Sequence, residues 1–546
     1  MADTARDDSG TGPGAASTSG RRPPRRKRVW LSVAAGAGTA ILAGAVVAGS
    51  VLVPAVSAAG TAELPPTVLP VGQNVAVCPG PTQLLTGSDA GTDPQFSPDS
   101  STASSTVSAL LLGSAGGSFG AGVVAPLAGG APLATLSAGT TSTSTATAQP
   151  EGGWTAKVAG PLSAVAPSVL LADPAQNRRA PAAAVFAAKN DDGDLRGLAA
   201  AACQTPGNDL WIAGASTTVG RTAVLNISNA SQTPATVSLD LFTTSGPLQA
   251  AGAKGLLVAP GSTRAVVLAG LAAGEEQLSL HLKSTGGPVA AFVQQSVLRG
   301  LTPGGVEFLA PANAPALRQV VPGVRLGDPG LAGRISGQSG YADAAPSLQV
   351  TVPGAKDAVV QVKVLGATGQ QALPNGGVFT ARAGAATALD LSGLPAGDYT
   401  LDISADASFT ASAKVSAASK EGEPVDVAFT AAAARLGDGQ LLVLPRGLDS
   451  KLTFAAPAGQ AKVNLTPVSA GGAALSPKTI DVDGGKTVTV DPRDVAGGPV
   501  AAFVLSATGD SVYGAQLVSS SGSMVSVLGI PREGASAQTL KVLLGY

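Results

Sequence analysis

The sequence predicts an all-β protein in which tandem immunoglobulin-like β-sandwich modules follow one N-terminal transmembrane helix. Three observations lead to this prediction. Apolar and polar residues alternate in many short runs, such as 236–242 (TVSLDLF) and 359–365 (VVQVKVL), and this period of two is typical of half-buried strands. Blocks of such runs recur along the chain. A stretch of 25 residues near the N-terminus, 29–53, carries no charge.

The N-terminal segments indicate export. Residues 1–28 form a polar tail that ends in a basic cluster, and residues 29–53 are long enough to cross a bilayer as a helix. The next basic residue is Lys157, so the positive-inside rule predicts a cytoplasmic N-terminus, a single span of the cell membrane and an extracytoplasmic body. Six basic residues set this topology: Arg21, Arg22, Arg25, Arg26, Lys27 and Arg28.

The fate of the apolar segment has two interpretations. It is either retained as a signal anchor or removed as a signal peptide at the small-residue site 56–58 (VSA). The apolar core of a signal peptide usually has about 7–15 residues, so the length of this segment favours retention. Both interpretations place the body outside the cytoplasm.

The remainder of the chain divides by composition and pattern. The predicted order is a Pro-rich stalk at 54–74, an N-terminal β domain at 75–204, a β-sandwich repeat at 205–312, a connector at 313–345, and two further β-sandwich repeats at 346–418 and 419–546. The octapeptide GGPVAAFV occurs at 286–293 and again at 497–504, and runs of matching pattern precede both copies. The first and last of these repeats have about the length of an immunoglobulin-like domain, ~100 residues, and the middle one is shorter.

The composition limits the chemistry of the protein. The chain has 546 residues with one His and two Cys, and 13% of its residues are charged. Multi-histidine and Cys-rich metal sites are therefore excluded, and we expect no cofactor. The body carries no basic field, so we also expect no nucleic-acid partner.

Cys78 and Cys203 are the two cysteines, and both follow the predicted span. Export places them in an oxidising compartment, which favours a disulfide that brackets the N-terminal β domain. Two free buried thiols are the alternative. No Cys-x-x-Cys motif is present, so a redox site is not predicted.

Other chemical residues have structural interpretations. His281 lies in 278–283 (LSLHLK), where the leucines alternate inward, so we expect it on the solvated face of a strand. A catalytic base would need a nucleophile motif, which is absent. Trp211 is expected to anchor the core of the first repeat, and a ligand-stacking platform is the alternative.

Acidic loops resemble calcium sites only superficially. Asp191, Asp192 and Asp194 do not match the EF-hand pattern. We interpret them as the turn of a hairpin with strands at 182–189 and 195–202.

Several segments resemble a known family. The runs 211–217 (WIAGAST) and 225–237 (LNISNASQTPATV) resemble a repeat signature of exported proteins from high-GC Gram-positive bacteria. The runs 78–81 (CPGP) and 318–323 (RQVVPG) resemble a membrane-anchored branch of this uncharacterised family. The resemblance implies an exported β-rich architecture. It implies no activity and no catalytic residue.

These observations predict a non-enzymatic, membrane-anchored protein whose extracytoplasmic body has a structural, scaffold or binding role in the cell envelope. Its partner would be another envelope protein or cell-wall glycan. Two alternatives remain open. One is a transmembrane regulator that acts through the basic tail. The other is an extracytoplasmic glycan hydrolase, which would need two carboxylates about 5–10 Å apart.

Overall fold

A computed structural model describes most of the chain from residue 71 onward. The described residues are 62–63, 67–68, 71–84, 100–113, 120–136, 154–374, 376–520, 523–532, 539–540 and 543–544. The chain forms two compact units, Met1–Thr67 with Thr539–Tyr546, and Val68–Gln538. In the first unit, strand β1 (Ala62–Glu63) pairs with β37 (Leu543–Leu544). The strands β2 (Thr67–Val68) and β36 (Thr539–Leu540) lie between them in sequence.

The second unit is almost entirely β, as the sequence predicts. Its described residues form four modules, each made of two antiparallel sheets that enclose an apolar core. All four modules have one topology. One sheet contains the first, sixth, third and fourth main strands in that order, and the other contains the fifth, second, seventh and eighth.

The first module is closed by a covalent bond between its two ends. Cys78 ends the first strand and Cys203 follows the last, and the two form a disulfide, which confirms the predicted pairing. The final two strands form the predicted hairpin. The strands are β3 (Asn74–Cys78), β4 (Ser104–Leu112), β5 (Gly122–Pro126), β6 (Ala134–Thr135), β7 (Ala156–Ser163), β8 (Ser168–Ala172), β9 (Ala182–Asn190) and β10 (Gly197–Ala202).

The second module follows directly. Its alternating leucines, including Leu280 and Leu282, point into the core as the period-2 pattern predicts. A 3₁₀ helix, Leu268–Gly270, interrupts the strands. The strands are β11 (Asp209–Ala215), β12 (Arg221–Asn229), β13 (Ala235–Thr243), β14 (Gly246–Leu248), β15 (Leu256–Val258), β16 (Ser262–Val267), β17 (Leu278–Gly286), β18 (Ala290–Arg299) and β19 (Thr302–Leu309).

The third module extends beyond its predicted bounds at both ends. Its first strand, β20 (Ala316–Leu326), lies in the predicted connector 313–345. Its last strand lies in the β-sandwich repeat predicted at 419–546. Helix α1 (Pro329–Ser336), capped by Asp328, and the 3₁₀ helix Ala342–Ala344 follow β20. The other strands are β21 (Ser347–Thr351), β22 (Ala358–Gly366), β23 (Gly369–Gln371), β24 (Val378–Ala381), β25 (Ala386–Asp390), β26 (Gly397–Ala417) and β27 (Asp426–Ala431).

Strand β26 is unusual because it serves both sheets of the third module. Its first half pairs with β20 and β22 in one sheet, and its second half pairs with β21 and β27 in the other. One continuous strand of 21 residues therefore replaces the sixth and seventh strands of the other modules.

The fourth module repeats the pattern of the second. Helix α2 (Pro492–Ala496) is capped by Asp491, whose side chain accepts a hydrogen bond from the backbone N–H of Arg493. The strands are β28 (Asp438–Val443), β29 (Asp449–Ala456), β30 (Ala461–Val468), β31 (Lys478–Val482), β32 (Lys486–Val490), β33 (Ala502–Gly509), β34 (Tyr513–Ser520) and β35 (Met524–Gly529).

The last strands of the four modules meet in the middle of the second unit. β10 lies against β19 and β35, and β27 lies against the same two strands, so the contacts form a closed cycle. Each of these strands is the edge of its own sheet. Exposed edges promote aggregation, and here each edge is covered by the others. Apolar clusters also join the modules, including one between the first and fourth.

Two buried carboxylates satisfy the amides of these edges. The carboxylate of Glu307 on β19 accepts hydrogen bonds from the N–H groups of Ala200 at 3.3 Å and Val527 at 3.4 Å. The carboxylate of Asp426 on β27 accepts those of Leu198 at 3.2 Å and Val525 at 2.9 Å. The side-chain carboxyl groups of the second and third modules thereby bind backbone N–H groups of the first and fourth modules.

A glycine makes the approach to Asp426 possible. Gly305 has a φ of +100°, and a Cβ at this position would lie 2.3 Å from an oxygen of Asp426. A larger residue would suffer both an unfavourable backbone conformation and this overlap.

Across the described parts of the chain, no helix combines the length and apolarity needed to cross a membrane. The predicted span 29–53 and its six flanking basic residues lie outside the described residues.

Candidate functional site

A polar cavity of about 520 Å³ lies between the second and third modules. Strands β12 and β18 form one wall, and β21, β25 and β26 form the other. Many of the residues that line the cavity are hydroxyl, amide or charged, and Val297, Ala388 and Phe429 add apolar surface. The wall includes Ser216, Arg221, Gln295, Asp343, Ser347, Gln349 and Lys414.

Ion pairs around Asp343 fix one side of the cavity. Arg299 binds the carboxylate of Asp343 with two nitrogens, at 3.0 and 2.7 Å, and Arg221 contacts it at 2.5 Å. The guanidinium of Arg299 also lies over the ring of Tyr341, 4.9 Å from its centre. Burial opposes ionisation of Asp343, but the hydrogen bonds and charges of the two arginines outweigh it, so its pKa is below the ordinary value.

Lys414 on β26 provides a cation in the same polar cavity, on the wall formed by the third module. Burial lowers the pKa of its ammonium group. In the described part of the chain, this group has neither a hydrogen bond nor an ion pair, although the charge of Asp343 acts on it. Lys414 is therefore available to a ligand that offers an oxygen acceptor.

His281 differs from its predicted environment. It lies on the outer face of its strand, but only 9% of it is exposed because the ring of Trp211 covers it, with centres 3.9 Å apart. Its Nε2 lies 3.0 Å from Asp209, and its Nδ1 lies 3.6 Å from Asp240. Burial lowers the pKa of His281 and outweighs the hydrogen bond that its ring donates to Asp209, which raises the pKa.

Trp211 is buried, but it does not join the leucine core of the second module. Its ring stacks between His281 and Phe242 on the outer face of the sheet. The prediction of a core anchor was therefore wrong about the face, since the alternation of the strand placed Ile212 inside instead.

The acidic loop after β9 forms a turn, as expected. Asp192 accepts hydrogen bonds from the hydroxyls of Ser100, Ser101 and Thr102, which lower its pKa to about 2. Asp191 pairs with Lys189 at 2.9 Å. Among the residues that the structure describes, no group of three or more His, Cys, Asp or Glu side chains is arranged to hold a metal ion.

Sequence reasoning missed the most strongly perturbed groups. Burial raises the pKa of Glu307 well above its ordinary value and that of Asp426 to about 7. Both lie within apolar strands, as in 303–309 (PGGVEFL) and 425–429 (VDVAF). A single acidic residue within an apolar strand was the sequence signal that could have indicated these buried acids.

Comparisons with known proteins identify a family and no activity. No curated protein matches the chain. Among solved structures, 78% of the chain is similar to 54% of a Streptomyces avermitilis alpha-L-rhamnosidase, crystallised with L-rhamnose, at 9% identity and a TM-score of 0.12. The chain thus spans about half the length of that enzyme. The model of DUF5719 matches residues 158–493. Because this match covers more than half of the chain, the protein belongs to the family of unknown function DUF5719.

Proposed function

We propose that the protein is a membrane-anchored binding scaffold of the cell envelope, and that its polar cavity holds hydroxyl-rich groups of a cell-wall glycan. The observation that carries this proposal is the lining of the cavity. Its hydroxyls, amides and the ammonium of Lys414 match the donors and acceptors of a sugar. Its volume, about 520 Å³, lies within the range of about 300–1,000 Å³ that is usual for small-ligand sites.

The disulfide supports an extracytoplasmic location. Disulfides persist in oxidising compartments and are rare in the cytosol. The Cys78–Cys203 bond joins the two ends of the first module, which fits a stable body displayed outside the cell.

We also propose that the modules are variants of the immunoglobulin-like sandwich. In that fold the second and fifth strands pair in one sheet, and the third and sixth pair in the other. The modules share both pairs, for example β12 with β16 and β13 with β17. Their first, fourth and seventh strands lie in the opposite sheet from that in the seven-stranded immunoglobulin domain.

The state of Asp343 does not suit it to act as the general acid of a glycan hydrolase. A general acid needs a raised pKa, whereas two arginines lower that of Asp343. Its carboxylate is held in a structural role by Arg221 and Arg299.

Blocking the polar cavity tests the proposed function. The full chain should bind isolated cell-wall glycan, and Ala388→Trp, which places an indole in the cavity, should reduce that binding at least about 10-fold. Thr380→Trp adds the same bulk to an exposed strand of the same module, outside the cavity lining, and should leave binding unchanged. Equal binding by both variants, or capture of an envelope protein alone, would refute the glycan proposal.

A reporter fused to the C-terminus tests the location. An enzyme that is active only outside the cytoplasm should be active in this fusion. Activity confined to a cytoplasmic reporter would refute the membrane-anchored arrangement.

A further inference from the structure

A second cavity, of about 570 Å³, lies between the first and fourth modules. We name it the arginine cavity after Arg178, Arg179 and Arg532, which line it together with Trp154 and one acidic residue, Asp438. The lining therefore carries an excess of positive charge. This cavity is separate from the polar cavity, and none of its residues belongs to the proposed glycan site.

None of the described acidic residues forms an ion pair with the guanidinium groups of Arg178 and Arg179. In the described part of the chain, neither side chain has an ion pair, and the Nε of Arg179 is buried without a hydrogen-bond partner. Other arginines of the body are paired, such as Arg318 with Asp402 at 2.7 Å and Arg325 with Asp398 at 2.6 Å. Buried donors are almost always satisfied in proteins, so the free Nε–H indicates a missing acceptor.

The burial of Arg179 also lowers its pKa, because no opposite charge compensates for the lost hydration. Uncompensated burial of a charge is unfavourable in a protein without ligand. Such a cost is typical of binding sites, where stability and function oppose each other.

A tight turn presents both arginines to the cavity. Ala175 and Arg178 exchange backbone hydrogen bonds at 3.0 and 2.9 Å across the two central residues of the turn. These residues, Gln176 and Asn177, have φ of 51° and 57°. Asparagine tolerates the left-handed conformation, whereas glutamine adopts it less readily, so the turn holds the arginines in place with some strain at Gln176.

Trp154 is half-buried and lines the same cavity as the arginines. Guanidinium groups bind planar oxyanions with paired hydrogen bonds, and an indole packs against a ring. We propose that the arginine cavity binds a sugar that bears an oxyanion, with its acid group on Arg178 and Arg179 and its ring against Trp154.

Calorimetric titration of the full chain tests this proposal with four probes. Glucuronate and glucose 1-phosphate carry the oxyanion as a carboxylate or a phosphate, and at least one of them should bind. Glucose, which lacks the charge, and inorganic phosphate, which lacks the ring, should each bind at least about 10-fold more weakly. If neither anionic sugar binds, or if glucose or inorganic phosphate binds as tightly, the proposal is wrong.

Variants assign the binding to the arginines. Arg179→Gln should weaken binding of the anionic sugar at least about 10-fold, and Arg178→Gln, at an exposed position, should weaken it about 3-fold or more. Arg264→Gln removes the same charge from an exposed strand of the second module and should not change binding. Unchanged binding in both cavity variants would overturn the assignment.

The thermal midpoint of the free protein distinguishes a ligand site from a structural arginine. Because Arg179 is half-buried and its Nε has no described hydrogen-bond partner, Arg179→Gln should raise the midpoint or leave it unchanged. A lower midpoint, or failure of the variant to fold, would show a structural role and refute the proposal.

Discussion

The carboxylate of Asp426 in the third module lies 2.9 Å from the backbone nitrogen of Val525 in the fourth. The same side chain accepts the amide of Leu198 in the first module. One acid thus joins three modules at the point where their edge strands meet.

This arrangement predicts a stability that depends on pH. Burial raises the pKa of Asp426 from 3.8 to about 7, so the folded protein binds its proton more tightly than the unfolded chain does. The resulting stabilisation is complete below about pH 4 and is lost as the pH rises to about 7. We expect Asp426 to lower the free energy of unfolding by at most ~1.4 kcal/mol per pH unit in this window.

Urea unfolding of the wild type and of two asparagine variants checks this prediction. The measurements are made at about pH 4.5 and about pH 6.5, which both lie within this window. Asp426→Asn should show a smaller loss of stability between the two conditions than the wild type. Asp481→Asn removes an acid whose side chain is 74% exposed in the same unit and should behave as the wild type does. An equal loss in all three proteins would contradict the prediction.

Removal of the disulfide should destabilise the first module. The bond closes a loop across a sequence separation of 125 residues, and loops of about 100 residues correspond to ~4.7 kcal/mol of chain entropy. We expect Cys78→Ala with Cys203→Ala to lower the free energy of unfolding by about 3–5 kcal/mol. Reductant should shift the denaturation midpoint of the wild type and not that of the variant. Coincident midpoints for both proteins would exclude a stabilising bond.

The single histidine gives a direct measure of the Trp211 stack. His281 is the only histidine of the chain, so its ring proton resonance can be titrated without assignment. Trp211→Ala should raise the pKa of His281, because burial is the main cause of its lowered value. Asp209→Asn should lower it further, because the Asp209 hydrogen bond raises it. Shifts of the same sign in both variants would contradict this account.

The ion pairs of the second unit should differ widely in their contribution to stability. The Arg299 side chain is 2% exposed where it binds Asp343, and breaking a buried pair of this kind costs about 3–5 kcal/mol. We expect Arg299→Met to lower the free energy of unfolding by that amount. Arg493→Met breaks a pair whose partners are 67% and 71% exposed and should change stability by less than about 1 kcal/mol. Similar losses in the two variants would refute this difference.

Much of the fold could be predicted from alternation, since side chains on one face of a strand are buried and the others are not. The runs 222–229, 347–353 and 451–457 share an alternating pattern, and the structure places β12, β21 and β29 there as the second strands of their modules. Matching patterns thus indicated equivalent positions correctly.

The repeated octapeptide was misleading. Its first copy leads into β18, the seventh main strand of its module, whereas its second copy leads into β33, which is a sixth strand. Identical short sequences in an Ala/Val/Gly-rich chain therefore do not mark equivalent positions. The strand β20 was missed for a physical reason, since Pro322 and Gly323 interrupt its pattern where the register shifts.

The candidate sites were less accessible to sequence reasoning. Arg299 and Asp343 are 44 residues apart, and the arginine cavity combines residues of the first and last modules. Such sites depend on how modules pack, whereas periodicity reports only which face of a strand is buried.

The closed cycle of edge strands has a consequence for synthesis. Ala200 and Ser526, which bond across the centre, are separated by 326 residues. During synthesis, β10 can contact β19 once the second module is made, but its contact with β35 can form only when almost the whole remaining chain is present. Nascent or truncated chains therefore expose an unpaired β-edge to neighbouring chains. Completion of translation covers this edge and protects the protein from aggregation.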